Sequence, residues 1–153
     1  MRGEQPRVIA SAEAPAERVE TPGFQRTIKR LLSTSQMVVH MCSFDVGQAG
    51  SRHVHADAEE VTYVVDGVGE VLLDDGELRL APGSVFHGPR NTVHQFRNTG
   101  ARPLVTVSVY SPPAELPIHG NVEPRARPAA TRAAANAHAR GRSAGKRVRA
   151  ARS

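Results

Sequence analysis

Short apolar segments separated by glycine-containing turns divide the chain between residues 24 and 110. Asp66-Gly67 is a strong hairpin signal, and Asp74-Asp75-Gly76 is a second tight turn. No part of this region shows a sustained helical period, so the sequence predicts an all-β domain, either a sandwich or a barrel. The predicted strands are residues 24–32, 36–46, 60–66, 69–74, 77–80, 84–87, 93–97 and 103–110.

A cluster of potential metal ligands lies between Gly47 and Gly67. His53 and His55 are two residues apart, so their side chains leave the same face of an extended strand, which we expect to begin there. Glu60 follows after a short connection. Imidazole nitrogens with one carboxylate suit Fe(II), Mn(II), Co(II), Ni(II), Cu(II) or Zn(II) better than Ca²⁺ or Mg²⁺.

A second cluster contains Gly83, Pro89, Asn91, His94 and Asn98. Together, the two clusters resemble the paired motifs of the cupin superfamily, and the resemblance covers roughly residues 24–112. It implies an all-β double-stranded β-helix, or jelly-roll barrel. The second motif departs from the family pattern once, because Asn91 stands where glycine is usual; asparagine tolerates positive φ, so the turn can survive.

The resemblance also implies the metal ligands. In this family the first motif supplies two histidines and a glutamate and the second motif supplies the third histidine. Here these are His53, His55, Glu60 and His94. If all four point inward, the period of a β-strand predicts that four more side chains share the interior. They are Thr62, Val64, Phe96 and Asn98.

His40 is the candidate catalytic residue. It lies four residues before Phe44, so the two side chains share a strand face. If Phe44 faces the core, His40 can act as a general base above the metal. The opposite phase of the strand would place His40 on the outer surface, and the sequence leaves both open.

We expect three parts in the chain: a flexible N-terminal arm over 1–22, the barrel over 23–113, and a disordered Arg/Ala-rich tail over 114–153. From residue 121 onward the chain holds nine of its 20 Lys and Arg residues and one of its 15 Asp and Glu residues. Nucleic-acid contact by this basic tail is an alternative, but without aromatic residues a solvated extension is favoured.

The sequence disfavours proteins that depend on cysteine, secreted proteins and membrane-spanning proteins. The single cysteine, Cys42, excludes an intrachain disulfide and a cysteine-based metal site. The N-terminal segment lacks the apolar core of a signal peptide, and no run is long and apolar enough to span a membrane. We therefore expect a soluble, cytoplasmic protein.

A ligand set of this kind leaves coordination positions open on a bound ion, which is typical of catalytic sites. The resemblance implies an enzyme on a small oxygenated molecule, with a dioxygenase or a polyketide-cyclase-like activity favoured and isomerases also open. Fe(II) is the favoured metal, and Mn, Ni, Co, Cu and Zn remain open. A non-catalytic binding or sensing module is the alternative function. We also expect a homodimer.

Overall fold

The computed structural model describes residues 5–116. This part of the chain forms strands and turns without any helix, which confirms the all-β class. A helix able to cross a membrane is therefore absent from residues 5–116. The nine strands are β1 (Ala16–Val19), β2 (Arg26–Ser33), β3 (Val38–Phe44), β4 (Glu59–Asp66), β5 (Gly69–Leu72), β6 (Glu77–Leu80), β7 (Val85–Gly88), β8 (Gln95–Asn98) and β9 (Leu104–Ser111).

The strands form two antiparallel sheets. The larger sheet has the order β1-β2-β3-β9-β4-β7, and the smaller sheet has the order β6-β5-β8. Isolated bridges join Ala49 to Arg97 and His53 to His94, so the segment before β4 continues the smaller sheet beyond β8. The expected strand at 53–55 is therefore reduced to a single bridge at His53.

The apolar core lies between the inner faces of the two sheets. Strand β3 alternates strictly, with Val38, His40, Cys42 and Phe44 inward, because successive side chains point to opposite faces. Each large apolar side chain buried in this way contributes about 1.5–3 kcal/mol. The main cluster draws on both sheets and contains Val19, Ile28, Cys42, Phe44, Val64, Val71, Leu80, Phe86, Phe96 and Leu104.

The predicted phase of the strands around the motifs is confirmed. The four side chains expected inside are each at most 6% exposed: Thr62, Val64, Phe96 and Asn98. The outer face of β4 and β7 instead presents exposed apolar side chains, namely Val61, Tyr63, Val65 and Val85. The homodimer expected from the sequence stays a prediction.

Two turns depend on residues with positive φ. Asn91 has φ 62°, so the asparagine does adopt the left-handed conformation that the family's glycine would supply. Gly67 has φ +80°, and a Cβ at this position would lie 2.3 Å from the carbonyl oxygen of Pro103. The hairpin between β4 and β5 therefore requires glycine on both conformational and steric grounds.

Part of the expected N-terminal arm belongs to the folded domain. Strand β1 pairs with β2, Val19 is only 1% exposed, and Arg18 forms an ion pair with Asp45. These contacts explain why a segment with one large apolar residue is ordered at the sheet edge. Apart from residues 114–116, the expected tail lies outside the described residues.

Candidate metal centre

Four side chains from separate parts of the sequence converge in the interior. The histidine nitrogens and a carboxylate oxygen of His53, His55, Glu60 and His94 all lie within 4.8 Å of one another. Their exposed fractions are 6%, 8%, 1% and 1%, respectively. The structure thus brings together the complete ligand set predicted from the two motifs.

Backbone hydrogen bonds fix the relative positions of the segments that carry the histidine ligands. The N–H of His53 donates to the carbonyl of His94 over 3.0 Å, and the N–H of His94 returns a bond of 2.9 Å. The carbonyl of His55 accepts a hydrogen bond from the N–H of Asn91 at 2.8 Å, which joins the first motif to the turn of the second. Glu60 projects from β4 in the facing sheet.

Two backbone carbonyls fix the orientation of two imidazole rings. Nδ1 of His53 lies 2.7 Å from the carbonyl oxygen of Ser51, and Nδ1 of His94 lies 2.9 Å from that of Thr92. A carbonyl oxygen only accepts hydrogen bonds, so each Nδ1 carries a proton. In the neutral ring, Nε2 then keeps its lone pair, and Nε2 of His53 lies 3.0 Å from Nε2 of His55.

The two oxygens of Glu60 have different partners. Oε1 accepts hydrogen bonds from Thr62 at 2.6 Å and from Tyr110 at 3.2 Å. Oε2 lies 2.8 Å from Nε2 of His94 and 3.6 Å from Nε2 of His55. The hydroxyl of Ser108 lies 2.5 Å from that of Thr62, whose own proton is directed at Glu60. Oε1 is therefore held by hydroxyl groups, while Oε2 faces the histidines.

Burial and the contacts between the ligands shift the pKa values of Glu60, His94 and His53. Burial alone raises the pKa of Glu60, but its interactions with His55 and His94 lower that pKa below the ordinary value. Burial alone lowers the pKa of His94, whereas Glu60 raises it overall. Burial and the neighbouring His94 lower the pKa of His53 to about 4, so this ring is neutral at pH 7. The opposite pKa shifts of Glu60 and His94 reflect the close contact of 2.8 Å between Oε2 and Nε2.

The donor set fits a divalent transition metal. Three buried imidazole nitrogens and one carboxylate oxygen are the mixed N/O set that Fe, Mn, Co, Ni, Cu and Zn accept, whereas Ca²⁺ and Mg²⁺ prefer oxygen alone. Oriented rings and a hydrogen-bonded carboxylate are the outer contacts expected around metal ligands. The group can therefore hold a metal ion.

The cavity beside the ligands contains residues that the sequence analysis missed. It measures ≈ 30 Å³, and among its lining residues are His53, Glu60, Arg26 and Tyr110. Arg26 is only 3% exposed and donates to the carbonyl of Phe24 at 2.9 Å. The inward phase of β2 was the one signal that could have identified it, because its parity matches that of Ile28.

His40 is buried and faces inward together with Phe44, which is the first of the two strand phases that the sequence left open. It lines a different cavity from the one beside the ligands, and the ring of Tyr110 packs against it at a centroid distance of 5.8 Å. Tyr110 in turn contacts Glu60. The general-base role of His40 stays a prediction.

The fold and the site together define a class of protein: a small all-β barrel with three histidines and one glutamate directed inward as a candidate metal centre. The family model described as Cupin domain matches residues 40–110. The chain resembles the solved structure of KdgF from Halomonas sp. with 31% identity and a TM-score of 0.59, covering 68% of this chain and 93% of that one. The chain belongs to the cupin superfamily.

Two further comparisons extend this result. Protein SchB of Streptomyces halstedii is 38% identical over 77 residues, which is 50% of this chain and 56% of that protein. The chain thus spans about half the length of the curated relatives it matches. The polyketide cyclase RemF of Streptomyces resistomycificus has a TM-score of 0.64 at 21% identity, covering 78% of this chain and 87% of that one, and this likeness concerns the fold alone.

Proposed function

We propose that this protein is a metal-dependent enzyme that acts on an oxygenated small molecule, as a dioxygenase or a cyclase of the polyketide type. One observation carries the proposal. Glu60 has one oxygen occupied by Thr62 and Tyr110, which leaves the other oxygen directed at His94 and His55. A buried carboxylate that is oriented in this way is suited to bind a cation, whereas packing alone would not require its oriented oxygens.

In the proposed enzyme, different residues of this chain would bind the metal, orient its ligands and bind the substrate. His53, His55, Glu60 and His94 hold the ion, and Thr62 and Tyr110 keep the carboxylate in place. The bound metal supplies Lewis acidity or, if it is iron, electron transfer to dioxygen. The buried arginine of the cavity, Arg26, adds positive charge where an oxygen-rich substrate would bind.

The size of the cavity limits what can enter without rearrangement. A volume of ≈ 30 Å³ holds about one water molecule. A chelating substrate therefore needs one lining side chain to move, and half-buried Leu116 is the lining residue that comes from the segment after β9. We propose that substrate entry displaces Leu116.

Metal analysis of the freshly purified full-length protein tests the proposal. We expect about one transition-metal ion per chain, with Fe(II) favoured, and loss of this ion in His53→Ala. Absence of stoichiometric metal, with none taken up on addition, would remove the enzyme proposal. With metal present, dioxygen uptake in the presence of catechols and 1,3-diketones separates a dioxygenase from a cyclase, since only the former consumes oxygen.

A non-catalytic binding module is the second candidate. It is favoured by the contact of 2.8 Å between His94 and Glu60, which keeps the ligand group assembled without an ion. A ligand that binds the metal-loaded protein and is recovered unchanged after long incubation with dioxygen would support this function over catalysis.

A further inference from the structure

A second and larger cavity lies next to the cavity beside the metal ligands and shares one lining residue with it. It measures ≈ 360 Å³, a size suited to a small organic ligand. Among the described residues, Leu116 alone lines both cavities. The larger cavity is lined by Pro15, Ala16, Glu17, Ile28, Arg30, His40, Glu115 and Leu116.

His40 lines this cavity and has one ring nitrogen without a hydrogen-bond partner among residues 5–116. Its Nε2 lies 3.4 Å from Nε of Arg30, and because a guanidinium only donates, Nε2 must be the acceptor. The proton of the neutral ring is then on Nδ1. Burial and the neighbouring Arg30 both lower the pKa of His40, which favours this neutral form.

Nδ1 is completely buried and has no hydrogen-bond partner within residues 5–116. Buried polar atoms in folded proteins are almost always hydrogen-bonded, so a buried N–H of this kind indicates a missing acceptor. The residue itself is 2% exposed. A small molecule in the cavity lined by His40 would supply this acceptor.

Arg30 offers a second donor group beside His40. Its Nη2 forms an ion pair of 2.8 Å with Glu115, whose side chain is 84% exposed. Exposed ion pairs contribute little free energy, so another carboxylate can take the place of Glu115. The apolar side of the cavity is formed by Pro15, Ala16, Ile28 and Leu116.

We propose that this cavity binds a small organic carboxylate, with the guanidinium of Arg30 and the Nδ1–H of His40 as donors and the apolar wall in contact with the organic part. The bound carboxylate replaces Glu115 as the partner of Arg30. This site goes beyond the proposed function, because it requires no metal.

Benzoate is a suitable probe, since it combines a carboxylate with an apolar ring. Binding to the chelator-treated full-length protein, measured by calorimetry, should show a Kd on the order of 1 mM. Arg30→Met should weaken binding about tenfold. Glu115→Gln, which removes the competing carboxylate, should tighten it about two- to fivefold. Arg102→Met is the matched control, because it removes an exposed arginine paired with Asp66 and should leave affinity unchanged.

Nitrogen-15 NMR of the imidazole rings provides a second readout. Benzoate should shift the Nδ1–H resonance of His40, because the carboxylate becomes its acceptor. An unchanged resonance at saturation would show that the carboxylate is not the acceptor of Nδ1 and would overturn the proposal. Equal affinity of the wild type and Arg30→Met would do the same. Binding that appears only in metal-loaded protein and disappears in His53→Ala would assign benzoate to the metal instead, whereas failure of metal binding alone leaves this site intact.

Discussion

The hydroxyl groups behind Glu60 lead to the sharpest prediction. Thr62→Val preserves the shape of the side chain but removes the 2.6 Å hydrogen bond to Oε1 and the partner of Ser108. A hydrogen bond to a charged group contributes about 1.5–3 kcal/mol, which corresponds to about a 10- to 100-fold loss of affinity for the metal. This range matches the effect expected of residues that orient metal ligands.

Competition with a chromophoric chelator, using Co(II) or Zn(II), measures this affinity directly. Tyr110→Phe removes the longer bond of 3.2 Å to the same oxygen, so we expect a smaller loss than in Thr62→Val. Thr106→Val is the matched control. It also removes a buried hydroxyl from β9, but Thr106 lies opposite Val64, one inward position beyond the residue that faces Thr62. If Thr62→Val binds metal as tightly as this control, the hydroxyl groups do not orient Glu60 and the argument from its two oxygens fails.

Four further outcomes are expected. His53→Ala should lose stoichiometric metal by mass spectrometry while keeping the far-ultraviolet spectrum of a β-protein; retained metal would contradict the ligand assignment. Burial raises the pKa of Cys42 to about 12, so iodoacetamide at pH 8 should modify it only after unfolding. Asn98→Leu removes bonds to three backbone carbonyls and one N–H and should lower the free energy of unfolding by about 2–4 kcal/mol, measured by urea denaturation. Gly67→Ala should cost more than about 2 kcal/mol in the same assay because its Cβ would meet Pro103, and a neutral result would refute the close approach.

The ligand set was predictable because each motif encodes local geometry. His53 and His55 are close in sequence, and the parity of β4 places Glu60 and Thr62 on one face. The positive φ of Asn91 was likewise predictable, because asparagine tolerates that conformation better than other residues with a side chain.

The contacts around the ligands were not predictable in this way. Tyr110 reaches Glu60 from a strand fifty residues away, and its role depends on the register between β4 and β9, which no local pattern specifies. Strand β1 was missed because its order comes from pairing with β2 and from Val19, not from its own propensity. The environment of His40 depends on Glu115, which returns to the barrel only after β9 has ended.

The paired hydrogen bonds between the main chains of His53 and His94 have a consequence for engineering. Because the two ligands face each other across a single antiparallel bridge, the separation of their Cα atoms is set by the main chain and not by either ring. A designer can exchange imidazole for carboxylate or thiolate at these two positions to alter metal preference without rebuilding the scaffold. The same bridged pair of positions can be introduced into other antiparallel strand pairs as a two-ligand metal site.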